Sequence, residues 1–308
     1  MEEERRTPKT VKDYLGPMRV PFLLLPPVCV LLGVATAYWS MGRVNWWYAF
    51  LAFLGALSSH VSVNAFNEYM DFKSGLDAKT QRTPFSGGSG TLVAHPELAG
   101  WTLFIACFSL AIPVVIGFYF LKVWGWAIVP LGLVGLLLVV AYTGWITRRP
   151  LLCLMAPGLG FGVLWVMGTY FVLTGHYSLS SFFASLVLFF LVSDLLLLNQ
   201  FPDTRADVTV GRRHLVIVKG EGYSARVYVA FLVLAYLSLV LGVELGVLPK
   251  WALLGLATLV LAVPTATRVL RYAEDLKRLM PALGKNVLIN LLTPFLTAVG
   301  LFLARWMG

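Results

Sequence analysis

Residues 46–77 read WWYAFLAFLGALSSHVSVNAFNEYMDFKSGLD. The first part, 46–66, is a continuous apolar run, and a helix of roughly 20 such residues crosses a bilayer. The run does not alternate polar with apolar positions, which excludes a barrel strand. It then changes character without a break, delivering Asn64, Asn67, Glu68, Asp71 and Asp77 at one end of the helix. Eight further runs of the same kind lie at 20–40, 100–121, 124–145, 153–174, 181–201, 223–246, 250–270 and 286–306. The expectation is an all-α integral membrane protein, with nine transmembrane helices in a single bundle and one domain over 1–308.

Composition agrees. Hydrophobic residues make up 58% of the chain and charged residues 13%, about half the roughly 25% of a soluble domain. That is too little charge to cover a surface facing water. The net charge of +9 comes from cations flanking apolar runs, not from one patch, so the expected partner is the lipid bilayer and no nucleic acid. Cys29, Cys107 and Cys153 are too far apart for a CxxC metal site or a disulfide framework and read as small core residues. The first run is long, lacks a small-residue cleavage site and follows an acidic start, so it reads as a span and not a signal peptide. Pro21, Pro26 and Pro27 are expected to kink it.

Cytoplasmic loops retain Lys and Arg. With nine alternating spans, all but Arg43, Lys122, Lys250 and Arg305 of the 24 Lys and Arg fall on one side. This predicts a cytoplasmic N-terminus and an outside C-terminus. All but Asp194 and Glu244 of the 15 acids fall on that same face, which orientation does not require. Chemistry is therefore expected at the cytoplasmic ends of the helices, with loops 67–99 and 202–222 carrying the site.

Asn64, Asn67/Glu68 and Asp71 are spaced i, i+3/4, i+7 and share one helical face. The sixth run ends in Asn199, Asp203 and Asp207, spaced i, i+4, i+8, again on one face. The same polar fragment thus recurs four helices later. Hard oxygen ligands with no adjacent His or Cys suit Mg²⁺, which completes its shell with water and substrate phosphate. Arg19, Lys73, Arg82, Arg148, Arg149, Arg212, Arg213 and Lys219 supply cations nearby, and guanidinium forks bind phosphate oxygens in pairs. The combination points to a diphosphate headgroup at a membrane surface.

At these residues the chain resembles the UbiA superfamily of intramembrane prenyltransferases. Asn64-x2-Asn67-x3-Asp71-x5-Asp77 is similar to the first Asp-rich motif of its menaquinone-type branch. Gly75 stands where the 4-hydroxybenzoate branch places its second Asp. Asn199-x3-Asp203-x3-Asp207, followed by Val210-Gly211-Arg212-Arg213, resembles the second motif and its Gly-Lys-Arg-Thr tail. The stretches Arg82 to Gly90 and Tyr142-Thr143-Gly144 also resemble this branch. Departures are Arg212 for Lys, His214 for Thr, and the segment 145–160, which lacks the double proline and the Arg-Gly-Leu-Gly-Glu stretch of menaquinone-type members.

The resemblance implies Mg²⁺-dependent transfer of a polyprenyl group from a prenyl diphosphate to an aromatic, naphthoate-like acceptor at a cytoplasmic site of the cell membrane. It implies two Mg²⁺ ions, one near Asp71 and Asp77 and one near Asp203 and Asp207, assisted by Asn64, Asn67 and Asn199. Phe66, Tyr69, Phe72, Tyr142 and Phe201 are candidates to stabilise an allylic cation through their π faces, and each can equally be packing. Glu68 or Asp207 could accept the proton. Asp194 lies deeper, where acids are functional by default; it could contact the acceptor or bond to a neighbouring helix. His60 could face a cavity or a helix, and residues 87–90 read as a flexible lid.

Two other readings stay open. A terpene cyclase of the same fold would use the substrate's own double bond in place of the acceptor. A transporter would place its charges near the bilayer midplane, where only Asp194 approaches, and is disfavoured.

Overall fold

The computed structural model describes residues 9–80 and 82–307, and among these there is no strand. The basic residues Arg5 and Arg6 lie outside the described residues. Eight helical segments are long and apolar enough to cross a membrane. They are α1 (Val20–Met41), α2 (Trp46–Lys73), the 46-residue segment Pro96–Ala141, α5 (Pro150–Thr174), α6 (Leu179–Val208), α7 (Glu221–Glu244), α8 (Lys250–Arg271) and α9 (Leu276–Met307). The long segment has two arms, α3 (Ala99–Trp124) and α4 (Val129–Ala141). The two runs expected at 100–121 and 124–145 are joined there, so eight segments stand where nine separate ones were expected. No polar loop parts the arms. The break is made at Gly125, whose φ of 69° is a backbone state that glycine adopts without a Cβ penalty.

Local sequence sets the other ends. Asn45 caps α2, its Oδ1 accepting from Trp47 N at 3.1 Å and Tyr48 N at 3.3 Å. Ser178 caps α6 by accepting from Ser181 N at 3.1 Å, which satisfies amides that have no partner within the helix. The three prolines lie where the first run changes from a 3₁₀ turn to an α-helix. Pro21 sits in a 3₁₀ turn at Val20–Leu24, and Pro26 and Pro27 occupy the first turn of the following α-helix, where no amide is needed.

Helix α6 is the spine of the bundle. Ala184, Val187, Leu188, Leu191 and Leu198 are fully buried against Leu32 of α1, Tyr228 and Leu239 of α7, and Leu279 and Leu283 of α9. Its contact with α5 is backbone-close: a Cβ on Gly158 would lie 2.0 Å from Phe189 O, and one on Gly162 2.4 Å from Phe189 N. Interhelical hydrogen bonds join other pairs, Ser62 Oγ to Ala106 O at 2.7 Å and Tyr228 OH to Asn286 Oδ1 at 3.0 Å. By contrast α4 buries no residue, so it walls the bundle without belonging to its core. Cys29 and Cys153 are buried as expected, whereas Cys107 is exposed on a helix whose apolar surface can face lipid.

Candidate active site

Both polar fragments remain helical further than the sequence analysis expected. Helix α2 continues to Lys73 and α6 to Val208, so Asn64 to Asp71 and all of Asn199 to Asp207 project from rigid helices. Only Asp77 lies in the turn beyond α2. The reason is burial: Asn64, Glu68, Asp71, Asn199 and Asp207 all face inward, and their helical backbones need no solvent to satisfy them.

These two helix ends meet. Arg212, in the loop after α6, donates from Nη2 to Asp71 Oδ1 and from Nη1 to Asp207 Oδ1, the latter at 2.9 Å. On the other face of Asp207, His214 Nε2 lies 3.1 Å from Oδ2. Between the helices opens a cavity of about 560 Å³, within the usual range for small-molecule sites. Its polar mouth is lined by Arg19, Asn64, Asn67, Asp71, Asp77, Asn199, Asp203, Asp207 and Arg212. Below them the wall is apolar, with Leu110, Val114 and Phe118 of α3 and Leu131, Leu136 and Val139 of α4.

Charge in the mouth is balanced from two directions. Arg19 Nε donates to Glu68 Oε1 at 2.7 Å. Burial opposes its charge, yet Glu68 outweighs this and holds the guanidinium above its ordinary value. Arg19 is also the one non-glycine residue with positive φ among the described residues, at 50°. Arg212 is likewise raised, because Asp71 and Asp207 overcome its burial. Among the described residues Asp77 has no such partner within bonding distance. Burial, with Glu68 and Asp71 nearby, pushes its carboxyl up to about 7.

Among the described residues, no three His, Cys, Asp or Glu side chains form a preformed cage for one ion. Buried Asn199 Oδ1 and Asp203 Oδ1 nevertheless have no hydrogen-bond partner. These oxygens are one turn apart on α6 and face the cavity. Few carboxylates and free hard oxygens fit a divalent cation that takes its remaining ligands from water and phosphate.

The other candidates divide. Glu68 is fully buried and off the cavity wall, with Ser89 N and Ser89 Oγ each donating to it at 2.7 Å besides Arg19. Its oxygens hold Arg19 and the 86–90 loop, away from the cavity in which a proton would be removed. Ser86, Gly87 and Gly88 of that loop do line the cavity. Asn67 Oδ1 accepts from Thr143 Oγ1, which ties the first motif to the Tyr142-Thr143-Gly144 stretch. Lys73, Arg82, Arg148, Arg149 and Arg213 do not line the cavity. Lys73 lies over the Tyr69 ring and Arg149 over the Trp145 ring instead.

Phe66 and Tyr69 also miss the wall, because the face of α2 that carries them is turned away; Phe66 packs on Ala65 and Ile105 near α3. Asp194 is buried but does not reach the cavity. Its backbone carbonyl accepts from Asn286 Nδ2 at 3.4 Å, in the packing between α6 and α9. Phe72 and Phe201 are likewise absent from the wall, so Tyr142 alone of these candidates lines the cavity.

Several cavity residues escaped the sequence reading. Cys153, Gln200, Thr147, Asn290 and His214 line the wall, and His60 lines it too, the cavity-facing one of its two readings. Gln200 was legible as the neighbour of Asn199; for Cys153 no sequence signal separated a wall position from a core one.

Sequence comparison supplies the family. The model of the UbiA prenyltransferase family matches residues 25–282. A protein of Bacillus subtilis (strain 168) named 1,4-dihydroxy-2-naphthoate octaprenyltransferase is 28% identical over 90% of this chain and 88% of its own length. An apo UbiA homolog from Aeropyrum pernix K1 superposes with a TM-score of 0.66 at 16% identity, over 92% of this chain and 98% of that one. A UbiA homolog from Archaeoglobus fulgidus, solved bound to DMAPP and Mg²⁺, gives 0.59 at 12% identity, over 94% and 99%. The chain, with its multiple spanning helices, belongs to the UbiA prenyltransferase family and is an integral membrane prenyltransferase near the menaquinone-type branch.

Proposed function

We propose that this enzyme transfers a polyprenyl group from an allylic prenyl diphosphate to an aromatic, naphthoate-like acceptor in menaquinone-type quinone biosynthesis. The observation that carries this reading is the convergence of Asp71 with Asp203 and Asp207 on one cavity whose deeper wall is apolar. A diphosphate fits the mouth and an isoprenoid chain fits the wall. The names of the Bacillus relative and of the Archaeoglobus structure support the acceptor, the donor and Mg²⁺.

In this reading Asp71 and Asp77 would hold one Mg²⁺, and Asp203 and Asp207, with Asn199, would hold a second. Bound there, Mg²⁺ supplies charge neutralisation and Lewis acidity toward the departing diphosphate. The chain's own residues do the rest. Arg19 and Arg212 offer guanidinium donors to the phosphate oxygens, where charge grows as the allylic C–O bond breaks. Glu68 keeps Arg19 directed at the mouth and anchors the 86–90 loop over it. The apolar faces of α3 and α4 hold the prenyl chain and exclude water, which limits simple hydrolysis. The ring carbon of the acceptor then supplies the electron pair for the new bond and gives up its proton to Asp207, which lines the same cavity. The site faces the cytoplasm, the whole chain forms one domain, and the Pro96–Ala141 segment crosses the bilayer twice.

The test uses purified protein with farnesyl diphosphate, 1,4-dihydroxy-2-naphthoate and Mg²⁺, with products read by mass spectrometry. A prenylated naphthoate is expected, lost with EDTA and reduced at least a hundredfold in Asp71→Asn and in Asp203→Asn. A cyclised hydrocarbon formed regardless of the naphthoate would replace this reading with a terpene cyclase.

A further inference from the structure

On α6, Gln200 stands three residues before Asp203 and seven before Asp207, which is about one and two turns along the same helix. Its carboxamide faces the cavity, and its Nε2 donates to Cys153 Sγ at 3.2 Å. A thiol is a weak acceptor, so this donor would gain by exchanging sulfur for an oxygen. Gln200 Oε1 has no hydrogen-bond partner among the described residues. The amide is therefore only half satisfied at a surface open to a ligand.

Its surroundings are matched to it. The Tyr142 ring packs on Cys153 together with Ile146 and Ala156. Phenol, thiol and carboxamide make a neutral wall with flat apolar area and hydrogen-bonding tips, beside Arg212 and Asp207 at the mouth. The facing carboxamides of α2 are engaged by protein. Asn64 Nδ2 donates to Met18 O at 3.1 Å, and Asn67 Oδ1 accepts from Thr143. Gln200 is the carboxamide at this depth whose only side-chain partner among the described residues is sulfur.

We propose that Gln200, Cys153 and Tyr142 form the acceptor subsite. Its ligand is a planar hydroxylated aromatic, one of whose phenolic or carboxylate oxygens takes Gln200 Nε2 in place of Cys153 Sγ. The inference rests on the aromatic-acceptor reading above. A ring bound here lies beside the carboxylates of the mouth and leaves the apolar wall of α3 and α4 to the prenyl chain. It also gives the departures at 145–160 a role, since that segment carries Cys153 and sets which ring the pocket accepts.

The experiment compares wild type, Gln200→Leu, Gln200→Asn and Cys153→Ser, varying 1,4-dihydroxy-2-naphthoate and farnesyl diphosphate separately. Gln200→Leu is expected to raise KM for the naphthoate at least tenfold while KM for farnesyl diphosphate stays within twofold of wild type. Gln200→Asn should recover part of the loss. Cys153→Ser, which offers Gln200 a stronger competing acceptor, should raise naphthoate KM about threefold. Equal changes in both KM values, or none in either, with active wild type would overturn the subsite and leave the prenyl-transfer reading standing. A wild type that prenylates no aromatic compound would remove that reading, and the subsite with it. Should Gln200→Leu fail to fold, the Cys153→Ser split decides alone.

Discussion

Arg212 reaches back 141 positions to hydrogen-bond Asp71, although the two residues stand at the ends of different spanning helices. Its second terminal nitrogen holds Asp207, so one guanidinium neutralises both polar fragments and ties α2 to α6. Removing one partner of a buried ion pair leaves the other charges without compensation. Three of the groups on which the site depends are thus mutually dependent for stability before any ligand arrives.

Arg212→Gln should accordingly lower stability by about 3–5 kcal/mol in EDTA, because Asp71 then has no cationic partner and Asp207 keeps only His214. Added Mg²⁺ should recover much of this loss, since a cation that binds only the folded state stabilises it. Thermal melts in detergent with and without Mg²⁺ check this. A variant that melts like wild type in both conditions contradicts the arrangement.

The pH dependence has a definite sign. Asp77 is raised from 3.8 to about 7, chiefly by burial. For such a group the stabilising contribution is complete below the unfolded value and is lost as pH rises through about 7. Mg²⁺ takes the deprotonated form, so its binding must displace a proton below that pH. The Mg²⁺-induced rise in melting temperature should therefore grow from pH 6 to pH 8, with apparent Mg²⁺ affinity about tenfold weaker at pH 6 than at its plateau. Asp77→Asn should flatten this profile; a profile unchanged in the variant would assign the titration elsewhere.

Gly158 holds the altered segment against the spine. Because a Cβ there would meet Phe189 O at 2.0 Å, Gly158→Ala must push α5 away from α6, and overpacking of this kind costs about 1–3 kcal/mol. A lower melting temperature and a higher naphthoate KM are expected together, since α5 carries Cys153. Gly100→Ala at the start of α3, where nothing lies within 4 Å of the added Cβ and which does not line the cavity, is the control and should leave both unchanged.

Topology is decided by whether Pro96–Ala141 crosses twice. Alkaline phosphatase fused after Gly308 should be active and a fluorescent protein at the same place dark, because two crossings there put the C-terminus outside. The opposite pair of signals would mean an even number of crossings and would remove the basis for a cytoplasmic site.

Part of this architecture was legible in the chain itself. Apolar runs too long for a soluble core, and carboxamides and carboxylates repeated at helical spacing on 64–71 and 199–207, are local properties that one helix suffices to express. They determined an all-helical membrane protein and named Asp71, Asp77, Asp203 and Asp207. Spacing could not say which way a face turns within a bundle. Phe66, Tyr69 and Asp194 share helices with cavity residues yet face other neighbours, and Glu68 is spent on Arg19 and Ser89. Nor could it show that the runs on either side of Gly125 would form one segment with no polar loop between them, or that Cys153 and Gln200, 47 positions apart, would meet on one wall. Those outcomes depend on how side chains from distant helices share the same space, and only the tertiary structure decides that.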